Sequence, residues 1–310
     1  MSPSLAFVFP GQGSQFVGML ADTAEKYPEI RETFKQASTA LGRDLFDLAI
    51  NGPETELNKT DITQPILLTA SVALWRVWRE QGGAIPAAMS GHSLGEYSAL
   101  VCAGAIGFED AVRLVNKRGK FMQEAVPAGE GAMAAILGLE DADIAKACKS
   151  AEQGQIVSPV NFNSPGQVVI AGQVAAVERA MAACKEAGAK RALLLPVSVP
   201  SHCALMMPAA DRLAKELNNI SVSSPTIPVV QNVSAKVAGN VDELKDNLVK
   251  QLYRPVLWVG CVGQLAEQGV TRLIECGPGS VLSGLNKRIN RELAVASIGD
   301  LNGLTKQLSE

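Results

Sequence analysis

The chain has 310 residues, of which 47% are hydrophobic and 19% are charged, and its formal net charge at pH 7 is −3. This composition is typical of a globular protein with a substantial core, and it argues against long disordered segments. The weak negative charge excludes a global basic field that would collect nucleic acid or coat an anionic membrane. We therefore expect neither as a partner.

The sequence shows no targeting segment and no membrane-spanning segment. The first residues, MSPSLAFVFPGQGSQ, contain an apolar run of only six residues without a basic flank, which does not fit a signal peptide. No stretch approaches the length of a membrane span. We therefore expect a cytoplasmic protein.

The residues that usually bind metal ions are few and scattered. The six cysteines form no C-x-x-C pair, and the chain has only two histidines. We expect reduced, mostly buried thiols, no metal site and no cofactor.

The first 128 residues predict strands and helices in alternation. The apolar run LAFVFP predicts a buried strand that runs into the loop GQGSQ, and Pro65 predicts the first turn of a mostly buried helix that ends at Gly82 and Gly83. A weak strand, AIPAAMS, then leads through the turn GHSLG into the helix EYSALVCAGAI. A further helix follows over FEDAVRLVNKRGKFMQEAV.

From about residue 129 the pattern changes to strand, helix, strand, strand, helix, strand, which is the order of a ferredoxin-like unit. We therefore predict an α/β fold in which an α/β-hydrolase-like catalytic domain with a parallel sheet, residues 1–128 and 199–310, carries an inserted ferredoxin-like βαββαβ subdomain, residues 129–198.

Alternating elements return after the inserted unit. A helix follows Pro208, the strand TIPVVQNV comes next, and a helix covers DELKDNLVKQL. Pro255 opens another helix, and the strand TRLIECG leads through the turn GPGS into a last helix.

Ser93 lies in the turn GHSLG, between a predicted strand and a predicted helix. This is the context of a nucleophile elbow, in which flanking glycines let the backbones approach closely and the serine hydroxyl projects at the amino end of the helix. The N–H of Leu94 would then face a developing oxyanion. The alternative is that Ser93 only caps the helix, as serines commonly do.

A serine nucleophile needs a base, and histidine is the side chain whose pKa suits proton transfer near neutrality. His92 is next to Ser93 in a sharp turn, so its side chain is expected to point away from the hydroxyl and to have an orienting role. His202, in VPSHCALM, is the remaining candidate, and a satisfied buried histidine is its alternative. No acid stands out by position as a third member of a triad.

Motifs along nearly the whole chain resemble the malonyl-CoA:acyl carrier protein transacylase family. They are FVFPGQGSQ, TQPILLTASVAL, GHSLGEYSALVCAG, KRGKFMQEA, NFNSPGQVVIAG, VSVPSHCALM and ECGPGSVL, in the order in which the family has them. The resemblance implies that Ser93 is the acylated nucleophile, that His202 is the general base and that Arg118 binds the free carboxylate of the malonyl group.

The resemblance also implies roles for main-chain groups. The N–H groups of Gln12 and Leu94 would form the oxyanion hole, and the carbonyl of Gln251 would orient the catalytic histidine in place of an acid. Asn163 and Gln64 match family motifs near the site. We assign Asn163 to substrate binding, although loop hydrogen bonding for Asn163 and helix capping for Gln64 are equally good interpretations.

The implied activity is transfer of malonyl from malonyl-CoA to the phosphopantetheine thiol of acyl carrier protein in fatty acid biosynthesis, by a monomer. Because such carriers are acidic, we expect a basic docking patch at one of two clusters: Lys185, Lys190 and Arg191, or Lys287, Arg288 and Arg291. The alternatives are a serine hydrolase such as a thioesterase, which needs no cation for an acyl carboxylate, and a catalytically silent scaffold.

Overall fold

Two β-sheets organise the residues that the computed structural model describes, 4–197 and 199–310. The strands in chain order are β1 (Leu5–Phe9), β2 (Ala88–Gly91), β3 (Gly131–Leu137), β4 (Val157–Ser164), β5 (Gln167–Gln173), β6 (Arg191–Leu194), β7 (Val229–Gln231), β8 (Lys236–Val237), β9 (Arg272–Glu275) and β10 (Ala294–Ser297).

The α-helices surround these sheets. In chain order they are α1 (Ala21–Lys26), α2 (Pro28–Leu41), α3 (Leu45–Asn51), α4 (Glu54–Leu57), α5 (Thr60–Glu80), α6 (Leu94–Cys102), α7 (Phe108–Ala125), α8 (Asp141–Ala151), α9 (Val174–Glu186), α10 (Met207–Asn218), α11 (Val241–Lys250), α12 (Trp258–Glu267), α13 (Val281–Ile289) and α14 (Leu301–Leu308).

The larger sheet has six strands in the order β10-β9-β1-β2-β7-β8, and all neighbours are parallel except β7 and β8. Strand β1 lies inside it, and residues 6–9 are completely buried, which explains the continuous apolar run. Phe9 is opposite Gly91 in the neighbouring β2. The loop that contains Gln12 and the turn that contains Ser93 therefore leave the sheet side by side, at the carboxyl ends of parallel strands, where α/β proteins bind ligands.

The smaller sheet is antiparallel, with the order β4-β5-β3-β6. Its strands and the helices α8 and α9 enclose a separate group of buried apolar side chains. These sheets confirm the predicted α/β fold class and the βαββαβ order. The limits of the inserted subdomain stay a prediction, and both Ser198 at its end and the first three residues of the catalytic domain lie outside the described residues.

Helix α5 differs from its prediction because it begins at Thr60, so that Pro65 lies inside it. A proline at 65 cannot donate to the carbonyl of Asp61, four residues earlier. Asn116 of α7 donates its side-chain N–H to that carbonyl at 2.7 Å and so replaces the missing bond. Gly119 allows the approach, since a Cβ there would lie 2.5 Å from Asp61 Cα.

The carboxyl-terminal part also differs from its prediction. The helix predicted to open at Pro255 begins at Trp258, and the helix predicted to be last, α13, is followed by β10 and α14. Strand β10 is four residues long and lies at an edge of the sheet, where a short segment shows too little periodicity to identify. The amino-terminal helices α1 to α4 were not predicted either.

Candidate active site

Ser93 occupies a strained turn between β2 and α6. Its φ is 52° and its ψ is −107°, a conformation that non-glycine residues rarely adopt. The flanking glycines explain how the turn fits: a Cβ at Gly91 would lie 2.0 Å from Gly95 C, and one at Gly95 would lie 2.0 Å from Phe9 O. The Ser93 side chain makes no capping bond to α6, so its hydroxyl is directed elsewhere.

The hydroxyl of Ser93 meets His202, and its Oγ lies 2.8 Å from His202 Nε2. The other ring nitrogen, Nδ1, lies 2.6 Å from the carbonyl oxygen of Gln251 and must donate its proton there. Nε2 is then left as an acceptor facing the serine. Burial, together with the Arg118 charge, lowers the pKa of His202 to about 3, so the ring is neutral at physiological pH and Nε2 carries no proton of its own.

His92 points away from Ser93, as expected for the residue before an elbow serine. Its Nε2 lies 2.8 Å from Asn163 Oδ1, and its ring centroid lies 5.6 Å from that of Trp258. Asn163 is thus occupied in holding His92, while Asn161 is one of the residues that line the cavity beside Ser93. Asn161 Oδ1 is buried and has no partner among the described residues.

Arg118 projects from α7 towards the same serine and is completely buried. Its Nη1 donates to Gln64 Oε1 at 2.8 Å, and its Nη2 donates to Gln251 Oε1 at 3.0 Å and to Ser93 Oγ at 3.3 Å. Its Nε has no acceptor within the described chain. Burial lowers the pKa of the guanidinium from its usual value. Nε and Nη2 form one edge of the guanidinium. Nη2 lies beside Ser93 Oγ, and Nε has no acceptor among the described residues.

Two main-chain N–H groups near Ser93 are available as donors. Leu94 is the first residue of α6, so its N–H has no partner inside the helix, and Gln12 lies in the loop after β1. In the part of the chain that the structure describes, neither N–H donates to a backbone acceptor outside the regular elements. Among the described residues, the main-chain donors of the two predicted oxyanion-hole residues therefore have no backbone acceptor. One is at the start of α6 and the other is in the loop after β1.

Glu96 is a buried acid that sequence reasoning missed. It lies on the first turn of α6 and its exposed fraction is 0%. Its carboxylate accepts from Gln231 Nε2 at 3.0 Å, from Asn232 N at 2.8 Å and from Gln251 Nε2 at 3.0 Å. Burial raises its pKa to about 7, against the effect of these bonds and of Arg118. One signal was present: it is the sole charged residue in α6.

Asn232 and Gln64 are two further buried polar residues at the site. Asn232 accepts from Ser93 N at 2.7 Å and donates to Gly91 O at 2.7 Å, so it ties both sides of the elbow together. Gln64 holds Arg118 from α5 and also approaches Gln12 Oε1 at 3.3 Å. The arrangement couples a serine, a neutral histidine and a fixed cation, which suits acyl transfer through a serine ester.

The sequence profile of the family described as acyl transferase domain matches residues 6–300. The chain belongs to this acyl transferase family. This acyl transferase domain is 66% identical over 303 residues to the malonyl CoA-acyl carrier protein transacylase of Escherichia coli strain K12, with 98% of each chain covered. It is 48% identical over 298 residues to the protein of the same name from Bacillus subtilis strain 168, with 96% of this chain and 93% of that protein covered.

Two solved structures of malonyl-transferring proteins are also similar to this acyl transferase domain. An acyl carrier protein S-malonyltransferase from Vibrio cholerae O1 matches with a TM-score of 0.95 and 60% identity, over 98% of this chain and 99% of that one. A malonyl-transacylase solved in complex with a type II PKS acyl-carrier protein matches with a TM-score of 0.98 and 59% identity, over 99% of both chains. These matches confirm the family that the motifs predicted.

Two further features of the described residues concern membranes and metals. None of their helices combines the length and the apolar character that a transmembrane helix requires. Their histidine, cysteine and acidic side chains form no group of three or more that could hold a metal ion.

Proposed function

We propose that this protein transfers the malonyl group from malonyl-CoA to the phosphopantetheine thiol of acyl carrier protein, in fatty acid biosynthesis, through a malonyl ester of Ser93. The observation that carries the proposal is the position of Arg118. Its buried guanidinium reaches the nucleophile, with Nη2 3.3 Å from Ser93 Oγ. A cation at this place suits an acyl group that ends in a carboxylate.

The first half-reaction forms the ester. Ser93 Oγ attacks the thioester carbonyl of malonyl-CoA while its proton passes to His202 Nε2, 2.8 Å away. The imidazolium that results is stabilised by the carbonyl of Gln251, and the tetrahedral oxyanion by the N–H groups of Gln12 and Leu94. The C–S bond then breaks, and the CoA thiolate takes the proton from His202.

The second half-reaction repeats these steps with a new thiol. His202 accepts the proton of the phosphopantetheine thiol, whose sulfur attacks the ester carbonyl. The C–O bond to Ser93 breaks, and Oγ regains the proton from His202. The scheme uses no metal ion or cofactor in either step. CoA, the first product, leaves before the carrier thiol reacts, so the kinetics should be ping-pong.

Arg118 selects the acyl group in this scheme. Its fork of donors matches the two oxygens of the malonyl carboxylate, and the edge formed by Nε and Nη2 has a donor without an acceptor among the described residues. A carboxylate next to the acylated serine would supply that acceptor. A thioesterase needs the same serine and histidine but not this buried cation, which favours the transferase over the hydrolase.

A basic surface near the small sheet supports docking of an acidic carrier. In the small sheet, Leu137 lies opposite both Arg191 in β6 and Gln167 in β5. Arg288 of α13 donates to Gln167 Oε1 at 2.8 Å. Arg191 and Arg288, one from each cluster that the sequence offered as alternatives, are thus linked through Leu137 and Gln167. The monomeric state and the absence of a nucleic-acid partner stay predictions.

Mass spectrometry of the intact protein tests the function. We expect brief mixing with malonyl-CoA to add one malonyl group to the wild type and none to Ser93→Ala. Addition of holo acyl carrier protein should then move the group to the carrier. An adduct that is lost only to water would indicate a hydrolase, and no adduct would indicate a scaffold.

A further inference from the structure

The proposed mechanism assigns no role to the buried carboxylate of Glu96. Glu96 is wholly inaccessible, and no ion pair joins it to a cation within residues 4–197 and 199–310. A buried carboxylate is costly unless hydrogen bonds replace its hydration. Three hydrogen bonds do so here, and they show what the carboxylate holds in place.

Every partner of the Glu96 carboxylate is a donor: the side chain of Gln231, the main chain of Asn232 and the side chain of Gln251. The ionised form, which only accepts, satisfies all three at once. An amide or a protonated acid at this position would turn one of its own donors towards another donor. Gln231 cannot easily rotate to relieve this, because its amide also bonds Leu244 O and Asn247 Nδ2.

Glu96 helps to fix which end of the Gln251 amide faces Arg118. Gln251 Nε2 donates to Glu96 at 3.0 Å, to Ser93 O at 3.1 Å and, at the longer distance of 3.4 Å, to Asn232 Oδ1. This leaves Oε1 facing Arg118 Nη2 at 3.0 Å. A reversed amide would place its NH₂ group against the guanidinium, and two donors would then meet. The carboxylate therefore keeps an acceptor in front of Arg118.

We propose that Glu96 is a positioning residue for acyl-group selection: through the Gln251 amide it holds the Arg118 guanidinium where a substrate carboxylate can reach it. This inference rests on the proposed function, because it concerns the same carboxylate. Glu96 touches neither the nucleophile's hydroxyl nor His202. It reaches Arg118 through Gln251, and it reaches the elbow through Asn232, which accepts from Ser93 N. The distinctive consequence is selective, since only an acyl group with a free carboxylate depends on Arg118.

The test compares two acyl donors. The rate constant kcat/KM for acylation of Ser93 is measured with malonyl-CoA and with acetyl-CoA, for the wild type and for Glu96→Gln. We expect the malonyl-to-acetyl ratio to fall by about 10-fold to 100-fold, the effect of weakening a hydrogen bond to a charged group. An equal loss with both donors would overturn the proposal, because it would show that Glu96 only supports the elbow.

Glu275→Gln is the matched control. Glu275 is also completely buried, and it accepts from Leu282 N at 3.0 Å and Ser283 N at 2.7 Å, at the start of α13. The substitution should lower the melting temperature and leave the malonyl-to-acetyl ratio unchanged. A fall in the ratio here as large as in Glu96→Gln would overturn the proposal, since any buried carboxylate would then have the same effect.

Glu96→Asp keeps the proposal falsifiable if Glu96→Gln does not fold. Aspartate keeps the charge, but its side chain is shorter by one methylene, so the carboxylate lies farther from Gln251. The malonyl-to-acetyl ratio should therefore fall as well, by a smaller factor. In a Gln251→Met background, which keeps the carbonyl for His202, Glu96→Asp should change the ratio no further. An unchanged ratio in Glu96→Asp, or a full further loss in the double variant, would overturn the positioning role.

The two proposals fail in different ways. If malonyl-CoA does not acylate the wild type, the proposed function is wrong. If the wild type is acylated but the Glu96 variants keep its ratio, only the positioning role is wrong.

Discussion

His202 Nδ1 lies 2.6 Å from the main-chain carbonyl oxygen of Gln251. Gln251 also accepts a hydrogen bond from Arg118, since its side-chain Oε1 lies 3.0 Å from Arg118 Nη2. Gln251 therefore contacts both His202 and Arg118, through two chemically independent groups. A substitution of the Gln251 side chain leaves the carbonyl in place, so the two tasks are separable by mutation.

Replacement of Arg118 should separate malonyl transfer from acyl transfer in general. We expect Arg118→Ala to lower kcat/KM for malonyl-CoA by at least about 100-fold, because charge-assisted bonds to the substrate carboxylate are lost. Acylation by acetyl-CoA should fall much less. Arg113→Ala is the control, since Arg113 lies on the same helix with 45% of its side chain exposed. Equal malonyl transfer by Arg118→Ala would contradict the assignment.

His202 should stay neutral well below pH 6.5, and the pKa of His92 should lie below its usual value. Burial disfavours the imidazolium and lowers the pKa of His92, and for His202, where Arg118 adds to the effect, the pKa falls to about 3. A ¹⁵N NMR titration between pH 8 and pH 5 measures this directly, because the chain has only two histidines to assign. We expect His202 to stay neutral over this whole range, and His92 to change to the charged form only below pH 6.5. A His202 transition near pH 6.5 would show that the ring is solvated and that Arg118 does not act on it.

The elbow glycines should not tolerate a methyl group. A Cβ at Gly95 would lie 2.0 Å from Phe9 O, a main-chain atom of the central strand that cannot move aside. We expect Gly95→Ala to lower the free energy of unfolding by about 3 kcal/mol. Gly263→Ala in α12 is the matched control, since no atom lies within 4 Å of its Cβ, and it should raise stability by about 0.5–1 kcal/mol. Denaturant unfolding would measure both, and similar values for the two would refute the close approach.

Charge reversal at Arg288 should affect only the second half-reaction. Arg288→Glu should raise the KM for acyl carrier protein about 10-fold at low salt, and less at high salt, because a docking contact between exposed charges is screened. Acylation by malonyl-CoA alone should not change. Lys35→Glu, on the exposed face of α2, makes the same charge change as a control. If both variants raise the KM equally, the effect reflects net charge and not a docking surface.

Local pattern predicted most elements correctly, and the failures have physical causes. The helix α5 begins before Pro65 because Asn116 bonds the carbonyl of Asp61, 55 residues earlier in the chain, which the proline leaves free. The strand β10 forms because β9 offers it a partner from Arg272 to Glu275, which a four-residue segment does not reveal by itself. The start of α5 and the strand β10 both depend on tertiary contacts, which the hydrophobic periodicity of a local segment does not reveal.

The sequence by itself determined the βαββαβ order and the turn at Ser93, and it predicted His202 as the base, because these follow from neighbouring residues and from the scarcity of histidine. Only the tertiary structure decided what surrounds them. Arg118 meets Gln64 and Gln251 over separations of 54 and 133 residues, and Gln251 meets Glu96 over 155. Buried polar groups must find partners wherever the fold brings them, and which residues those are is a property of packing and not of any local pattern.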